Sequence, residues 1–256
     1  LSKRKDPEAA VTFYIEQGYP KESVNEYIMT LMNSNFEDWR KTNKDADIES
    51  FPFNLKKMSV SGALFDMVKF NDVSKNVISR MSAEKVYNLS SEWAKELDDE
   101  LYNAMSADPD YTKKIFAIGR GGKKPRKDLA VWTDVRPYID FFFDDLFEIK
   151  DSYQEKFNAE DIKSTLAEFV KTFNIADDMN TWFEKIKDIA DMLGYASDMK
   201  AYKENPDAYR GNVSDISMFI RIAVTGKENS PDMYSVMQIL GYDRVVNRIN
   251  GMINKL

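Results

Sequence analysis

The sequence predicts an all-α fold, a mainly helical bundle with minor extended structure near residues 50–62. Glycine and proline contribute 10 and 8 of the 256 residues. Their combined share, about 7%, is below the usual 12% or so and disfavours a turn-rich β fold. Apolar residues form 43% of the chain and recur at the period of a helix, between residues typical of helix starts and glycines typical of helix ends.

In the first half of the chain, proline next to acidic residues predicts helices that begin at Asp6 and Pro20. A short third helix is expected at 35–39, followed by a polar loop. The alternating apolar residues of segment 51–55 favour an extended piece. Further helices are predicted near residues 63–68, 71–79, 82–97 and 108–119.

A glycine-rich basic loop at 119–127 separates these helices from an apolar run at 138–147. Beyond it the helical period is plain, and Gly194, Gly226 and Gly241 mark helix ends. Helices are predicted near residues 162–173, 179–193, 213–225, 230–240 and 243–256.

Composition excludes several kinds of active site. The chain has no cysteine and no histidine. Disulfide-stapled domains, thiolate nucleophiles, imidazole ligands and Ser-His-Asp hydrolysis are therefore ruled out. Acid–base chemistry is left to carboxylates, lysine or tyrosine, and any metal site must be built from oxygen. The carboxylate pairs Asp98-Asp99 and Asp144-Asp145 are interpreted as solvated acids on helix surfaces or ends.

Charge is distributed unevenly along the chain. The net charge is −7, yet residues 1–130 hold 21 basic and 21 acidic residues and residues 211–256 hold 5 and 4. The acidic excess lies in residues 131–210, with 10 basic against 18 acidic residues. Both ends of the chain are therefore available for anionic partners.

Two basic segments are candidate phosphate-binding sites. Leu1–Lys5 precedes a predicted helix start, whose positive dipole end attracts phosphate. The loop at 119–127 carries five cations among mobile glycines, and its phosphate-backbone candidates are Arg120, Lys123, Lys124, Arg126 and Lys127. Each segment has a second interpretation, as a solvated terminus or a solvated loop. The loop is not a P-loop, because no Gly-Lys-Ser/Thr ends it.

Near the end of the chain, Arg221 lies in an apolar helix, and Pro231 and Met233 open the next helix after a short turn. A guanidinium beside a proline ring and a methionine can hold unstacked bases through edge hydrogen bonds and stacking. The other interpretation is a helix–turn–helix hairpin that only contributes to the core.

Three separated motifs resemble glutamyl-tRNA synthetases, a family of class I aminoacyl-tRNA synthetases. Leu1-Ser2-Lys3-Arg4-Lys5 resembles the tail of the KMSKS-type signature, whose first lysine would precede Leu1. Ser61–Asp66, followed by Lys69-Phe70-Asn71, resembles the family's Gly-Ala-Leu-Phe-Asp stretch. Arg221–Gly226, then Pro231 and Leu240-Gly241, resembles its C-terminal signature. The text after Asn71 departs from the family pattern, and the family's histidine-containing Rossmann motif is absent.

The resemblance implies a stem-contact region followed by helical anticodon-binding domains, with boundaries at 1–100, 101–157 and 158–256. It implies that Ser2, Lys3 and Arg4 contact ATP, and that Lys3 stabilises the pyrophosphate leaving group. It also implies that Arg221, Pro231 and Met233 contact anticodon bases. The chain, which starts at leucine, is then expected to be the downstream part of a longer protein and to be inactive alone.

The expected function is that of a tRNA-binding C-terminal fragment of a glutamate–tRNA ligase, cytoplasmic and monomeric. Its expected partner is glutamate tRNA, with glutamine tRNA as a second candidate. The fragment itself is expected to hold no cofactor, whereas the full enzyme would use ATP and magnesium with glutamate. The alternatives are a helical protein-interaction scaffold and a self-standing enzyme with an all-oxygen metal site.

Overall fold

The computed structural model describes residues 7–58 and 64–256. Across these ranges the chain forms fourteen α-helices and short 3-10 turns, with no β-strand beyond one isolated bridge between Ala196 and Asn212. The all-α prediction is confirmed. In the described part of the segment expected to be extended, residues 50–58, no strand forms, and extended backbone occurs at Phe51, Asn54 and Met58, which flank 3-10 turns. Residues 59–63 lie outside the described residues.

The chain divides into two compact units, Leu1–Ile139 (unit 1) and Asp140–Leu256 (unit 2). Unit 1 contains α1 (Val11–Gln17), α2 (Lys21–Met32), α3 (Phe36–Thr42), α4 (Met67–Arg80), α5 (Ala83–Leu97), α6 (Asp99–Ala107), α7 (Pro109–Ala117) and α8 (Val135–Ile139). Unit 2 contains α9 (Ala159–Thr172), α10 (Met179–Met192), α11 (Met199–Glu204), α12 (Val213–Thr225), α13 (Met233–Leu240) and α14 (Tyr242–Lys255). The three-domain division stays a prediction; α5 packs on α6 and α7, across the predicted boundary at residue 100.

An aromatic cluster fixes α2 against α4 in unit 1. Phe70 of α4 is 1% exposed, and its ring stacks on Tyr19 at 4.3 Å and on Tyr27 at 4.7 Å between centroids. Burying one such ring is worth about 1.5–3 kcal/mol. Next to the cluster, the buried Ser74 hydroxyl donates to Ala130 O and also bonds Ser23. The aromatic rings and this polar bridge set the spacing of the two helices.

Unit 2 is built around α12, the most apolar of its long helices, which packs on α9, α10 and α14. Phe219 of α12 is 1% exposed and meets Phe157 edge to face at 4.8 Å. The helix ends at Gly226 in the left-handed conformation, with φ of +72°. A Cβ at that position would collide with Glu148 O, so the connection to α13 requires glycine there.

Four local predictions were inaccurate. The first predicted helix, expected to begin at Asp6, is broken at Ala10, whose backbone is extended, and the Tyr14 hydroxyl donates to Glu8 O across the break. The two short helices near 63–79 are one helix, α4, capped by the Asp66 carboxylate. Helices α6 and α11 were missed, because both are short; α6 buries only Leu101 and Met105 within an acidic stretch.

Candidate nucleic-acid interface

The predicted ATP-contacting residues Ser2, Lys3 and Arg4 lie outside the described residues. The same is true of positions 61–63 in the second motif. The positions that the structure describes are the basic loop at 119–127 in unit 1 and the Arg221 region in unit 2.

The basic loop follows α7 and closes on itself. The Arg126 backbone N–H donates to Gly119 O at 3.0 Å. Gly119 has φ of +68°, and a Cβ there would lie 2.6 Å from the Arg126 side chain. The left-handed backbone and the close approach together require glycine at the first position of the loop.

Two of the five predicted phosphate contacts have partners within the protein. Arg120 donates to Ile78 O at 2.7 Å, satisfying a carbonyl at the C-terminal end of α4. Burial lowers the pKa of Arg120. Arg126 forms a two-bond pair with Asp128, at 2.7 and 2.8 Å. These arginines therefore anchor the ends of the loop, and Lys123, Lys124 and Lys127 form its exposed part.

A groove of about 770 Å³ lies beside this loop, entirely within unit 1, between α2, α3, α4 and the loop. Its cationic lining residues outnumber its acidic ones by two to one. The cations are Arg40, Lys41, Lys44, Lys69, Arg80, Lys123, Lys124 and Lys127, and the acids are Glu26, Glu37, Asp45 and Asp72. The surplus of cations gives the groove a positive potential that attracts anions, although the whole chain is acidic.

The floor of the groove is a buried charge triad. Glu26 pairs with Arg40 at 2.9 Å and with Arg80 at 2.8 Å, and its side chain is only 11% exposed. The Arg40 guanidinium also lies 4.8 Å from the Trp39 ring. Burial lowers the pKa of Arg40, with Glu26 opposing that effect. One carboxylate thus faces two guanidinium groups, which leaves the floor with a net charge of about +1.

Four exposed lysines form the rim of the groove, and we refer to them as the rim lysines: Lys44, Lys123, Lys124 and Lys127. The other two lining lysines are paired, Lys69 with Glu37 at 2.6 Å and Lys41 with Asp38 at 3.0 Å. Within residues 7–58 and 64–256, none of the rim lysines forms an ion pair. Their charge is therefore available for phosphate oxygens, which take lysine as a point-charge partner.

The sequence pattern identified the loop lysines but not the rest of the groove. Arg40, Lys44 and Arg80 are separated from the loop by at least 39 residues and occur in unremarkable polar segments. The packing of α2 on α4 and the Arg120 anchor bring them to one surface. No local signal in the sequence carries that information.

In unit 2, the structure places Arg221 near the C-terminal end of α12 as expected. Its Nη1 donates to Glu228 O in the connection between α12 and α13, at 3.3 Å. Helix α13 begins at Met233, and the Asp232 carboxylate caps it by accepting the Ser235 N–H at 2.8 Å. The helix start predicted at 230–232 is therefore confirmed.

Pro231 and Met233 present little surface to a ligand. Met233 is 6% exposed and Pro231 is also buried, while the Ser230 hydroxyl contacts the Met233 sulfur at 3.1 Å. Pro231 and Met233 therefore pack inside the protein at the turn between α12 and α13. Of Arg221, Pro231 and Met233, Arg221 has the most exposed side chain. The contacts of these three residues with anticodon bases stay predictions.

One member of each acidic pair singled out in the sequence, Asp98 and Asp144, has a structural role. Asp98 accepts the Leu101 N–H at the start of α6 and also pairs with Arg136, which together lower its pKa. Asp144 pairs with Arg244 at 3.1 Å and Arg248 at 2.8 Å. In the described ranges, no group of three or more acidic side chains is placed to hold a metal ion, and no helix is both long and apolar enough to span a membrane.

Comparison with known families matches residues 85–253 to a family described as the anticodon binding domain. This match covers nearly all of unit 2 and residues 85–139 of unit 1. The match includes the whole basic loop at 119–127 as well as Arg221, Pro231 and Met233.

Two curated relatives show how far the similarity extends. A glutamate–tRNA ligase of Acetivibrio thermocellus is 46% identical over 253 residues, covering 99% of this chain and 46% of that protein. One from Clostridium perfringens strain 13 is 47% identical over 253 residues, covering 97% of this chain and 46% of that protein. The chain thus spans about half the length of the curated relatives it matches.

A solved structure shares the fold. The crystal structure of a glutamate tRNA ligase from Elizabethkingia meningosepticum, in complex with its amino acid, aligns with a TM-score of 0.63 at 17% identity. The alignment covers all of this chain and 48% of that one.

Proposed function

This chain belongs to the anticodon-binding domain family, and from that membership we propose that it is the tRNA-binding, C-terminal part of a glutamate–tRNA ligase. The observation that carries the proposal is the family match over residues 85–253, together with 46–47% identity to glutamate–tRNA ligases along nearly the whole chain. The proposed partner is glutamate tRNA. Glutamine tRNA is a second candidate, and its affinity is compared with that of glutamate tRNA in the titration described below.

Unit 1 supplies backbone binding in this proposal. The rim lysines offer four charges that phosphates can neutralise, and the floor adds a net charge of about +1 beneath them. Phosphate contacts position a nucleic acid without reading its sequence. The groove is therefore expected to bind the backbone of any tRNA, whatever its anticodon.

Unit 2 supplies base recognition. Anticodon bases are unstacked, so their edges are accessible to side chains. Arg221 is the proposed base-contacting residue, because part of its side chain reaches the surface and it is oriented by Glu228 O. Pro231 and Met233 contact a base only if the turn between α12 and α13 opens, since both are buried.

The proposal extends to the whole protein. There, Ser2, Lys3 and Arg4 are proposed to contact ATP, and Lys3 to stabilise the pyrophosphate that leaves as glutamate is adenylated. Magnesium and glutamate are proposed partners of the rest of the protein, which we propose to be cytoplasmic and monomeric. The chain alone, without that part, is proposed to bind tRNA and not to charge it.

A titration of the chain with labelled glutamate tRNA over a salt series tests this function. A tRNA-binding protein loses affinity steeply as salt rises, because each neutralised phosphate releases condensed counterions. A protein-interaction scaffold would show no saturable tRNA binding at low salt, and that result would refute the proposal. Glutamine tRNA and an unrelated tRNA, titrated in parallel, measure the specificity.

A further inference from the structure

The connection between α12 and α13 is held against segment 148–151 by backbone contacts. Gly226 O accepts the N–H groups of Lys150 and Asp151, at 2.9 and 3.0 Å. The close contact of Gly226 with Glu148 O allows no side chain at that position. These contacts hold the start of the connection, residues 226–228, along residues 148–151.

A buried carboxylate provides a second anchor for the same connection. Asp140 is 2% exposed and accepts Lys227 Nζ at 2.6 Å and Lys150 Nζ at 2.7 Å. The two lysines lie on the two segments that the backbone contacts join. Asp140 thus pairs with both ammonium groups at the point where the segments meet, and a buried carboxylate of this kind is stable only when it is paired.

A third anchor leads directly to the proposed base-contacting residue. The Asp151 carboxylate accepts the Glu228 N–H at 2.7 Å. The backbone carbonyl of Glu228 in turn accepts a hydrogen bond from the Arg221 guanidinium at 3.3 Å. Hydrogen bonds to a charged carboxylate are shorter and stronger than neutral ones. Asp151 therefore holds the peptide group that joins Lys227 to Glu228, and the next carbonyl along the chain is the one that Arg221 meets.

We propose that Asp151 is a positioning residue for base recognition, acting on Arg221 through the backbone of Glu228. The proposal rests on the proposed function, since it takes Arg221 as the residue that contacts an anticodon base. A recognition group must be held within about 0.5 Å and 10–20° of its productive geometry by its supporting residues. Arginine has many rotamers. A carbonyl held near the guanidinium reduces the number of Arg221 rotamers that are populated before a base binds, which lowers the entropy lost on binding.

The test compares Asp151→Ala with a matched control in the full 256-residue chain. Asp198→Ala is the control, since Asp198 also accepts one backbone N–H, from Lys200 at 2.9 Å, and its loss changes the net charge equally. Each protein is titrated with glutamate tRNA and with the same tRNA carrying one substituted anticodon base. Losing one charged hydrogen bond behind Arg221 is expected to lower affinity for the matched tRNA by roughly three- to tenfold. Binding of the substituted tRNA should change little, and Asp198→Ala should leave both affinities unchanged.

A double-mutant cycle with Arg221→Ala identifies the route. If Asp151 acts through Arg221, the double variant should discriminate between the two tRNAs no worse than Arg221→Ala alone. Additive losses, or an equal loss for both tRNAs, would overturn the positioning role. Failure of the proposed function looks different, because Arg221→Ala would then leave discrimination intact or the unmodified chain would not bind tRNA. Circular dichroism and thermal melts of each variant establish that it is folded.

Discussion

Replacing all four rim lysines by glutamine removes the charges that the groove offers to phosphate. The substitutions keep much of the side-chain length and leave the Glu26–Arg40–Arg80 triad intact. Because none of the rim lysines forms an ion pair among the described residues, we expect thermal stability to change by less than about 0.5 kcal/mol. The effect should therefore fall on binding and not on folding.

The expected loss of tRNA affinity depends on the number of charges removed. Each phosphate contact contributes about 0.7 to 0.9 to the slope of log affinity against log salt concentration. If all four lysines contact phosphates, the slope should become shallower by about 3 to 3.6, and affinity at 0.1 M salt should fall by up to about 10³-fold. The loss should be equal for all tRNAs, because phosphate contacts carry no sequence information.

The assay is a tRNA titration at several salt concentrations, with a second quadruple variant as the control. Lys56, Lys57, Lys95 and Lys114 are also exposed and do not line the groove. Replacing these by glutamine changes the net charge by the same amount. If the control lowers the slope as much as the groove variant, general electrostatic attraction explains the binding and the groove has no special role.

Three other substitutions test tRNA binding, protein stability or both. Arg221→Ala is expected to lower affinity for glutamate tRNA by roughly ten- to a hundredfold, and less for a tRNA with another anticodon, by analogy with arginine contacts to DNA base edges; a lower melting temperature with equal binding of both tRNAs would contradict this. Glu26→Gln leaves two guanidinium groups without their counter-charge, so unfolding free energy should fall by about 2–3 kcal/mol while tRNA affinity rises. Denaturant unfolding and titration measure both, and a fall in affinity would contradict the charge argument. Burial raises the pKa of Tyr138 to about 12. Its contribution to stability is therefore full below the unfolded pKa of about 10 and is lost as pH rises through 12. Tyr138→Phe should reduce the fall in melting temperature between pH 10 and 12. If the melting temperature of this variant depends on pH as that of the original chain does, ionisation of Tyr138 is not the cause of the fall.

The helical fold class and most of the long helices can be predicted from the sequence. Apolar residues recur every third or fourth position in α5, α9, α10, α12 and α14, and a helix that buries one face must repeat in this way. Caps are equally local. Ser82, Asn158, Asp178 and Asp232 each accept a backbone N–H at a helix start, as their residue types predict. Short elements such as α6 have too few buried positions to show a period, which is why the sequence did not reveal them.

The sequence also singled out the basic loop and Arg221, because glycine-rich basic runs and an arginine in an apolar helix are visible in a single segment. The contacts that each cation makes depend on how the helices pack. The tertiary structure ties Arg120 and Arg126 to protein partners and leaves Lys123, Lys124 and Lys127 at a groove that Lys44 completes. It likewise buries Met233 and connects Asp151 to Arg221 through Glu228. These relations join residues tens of positions apart, and they arise because burial of apolar faces fixes which helices pack together and so which polar side chains meet.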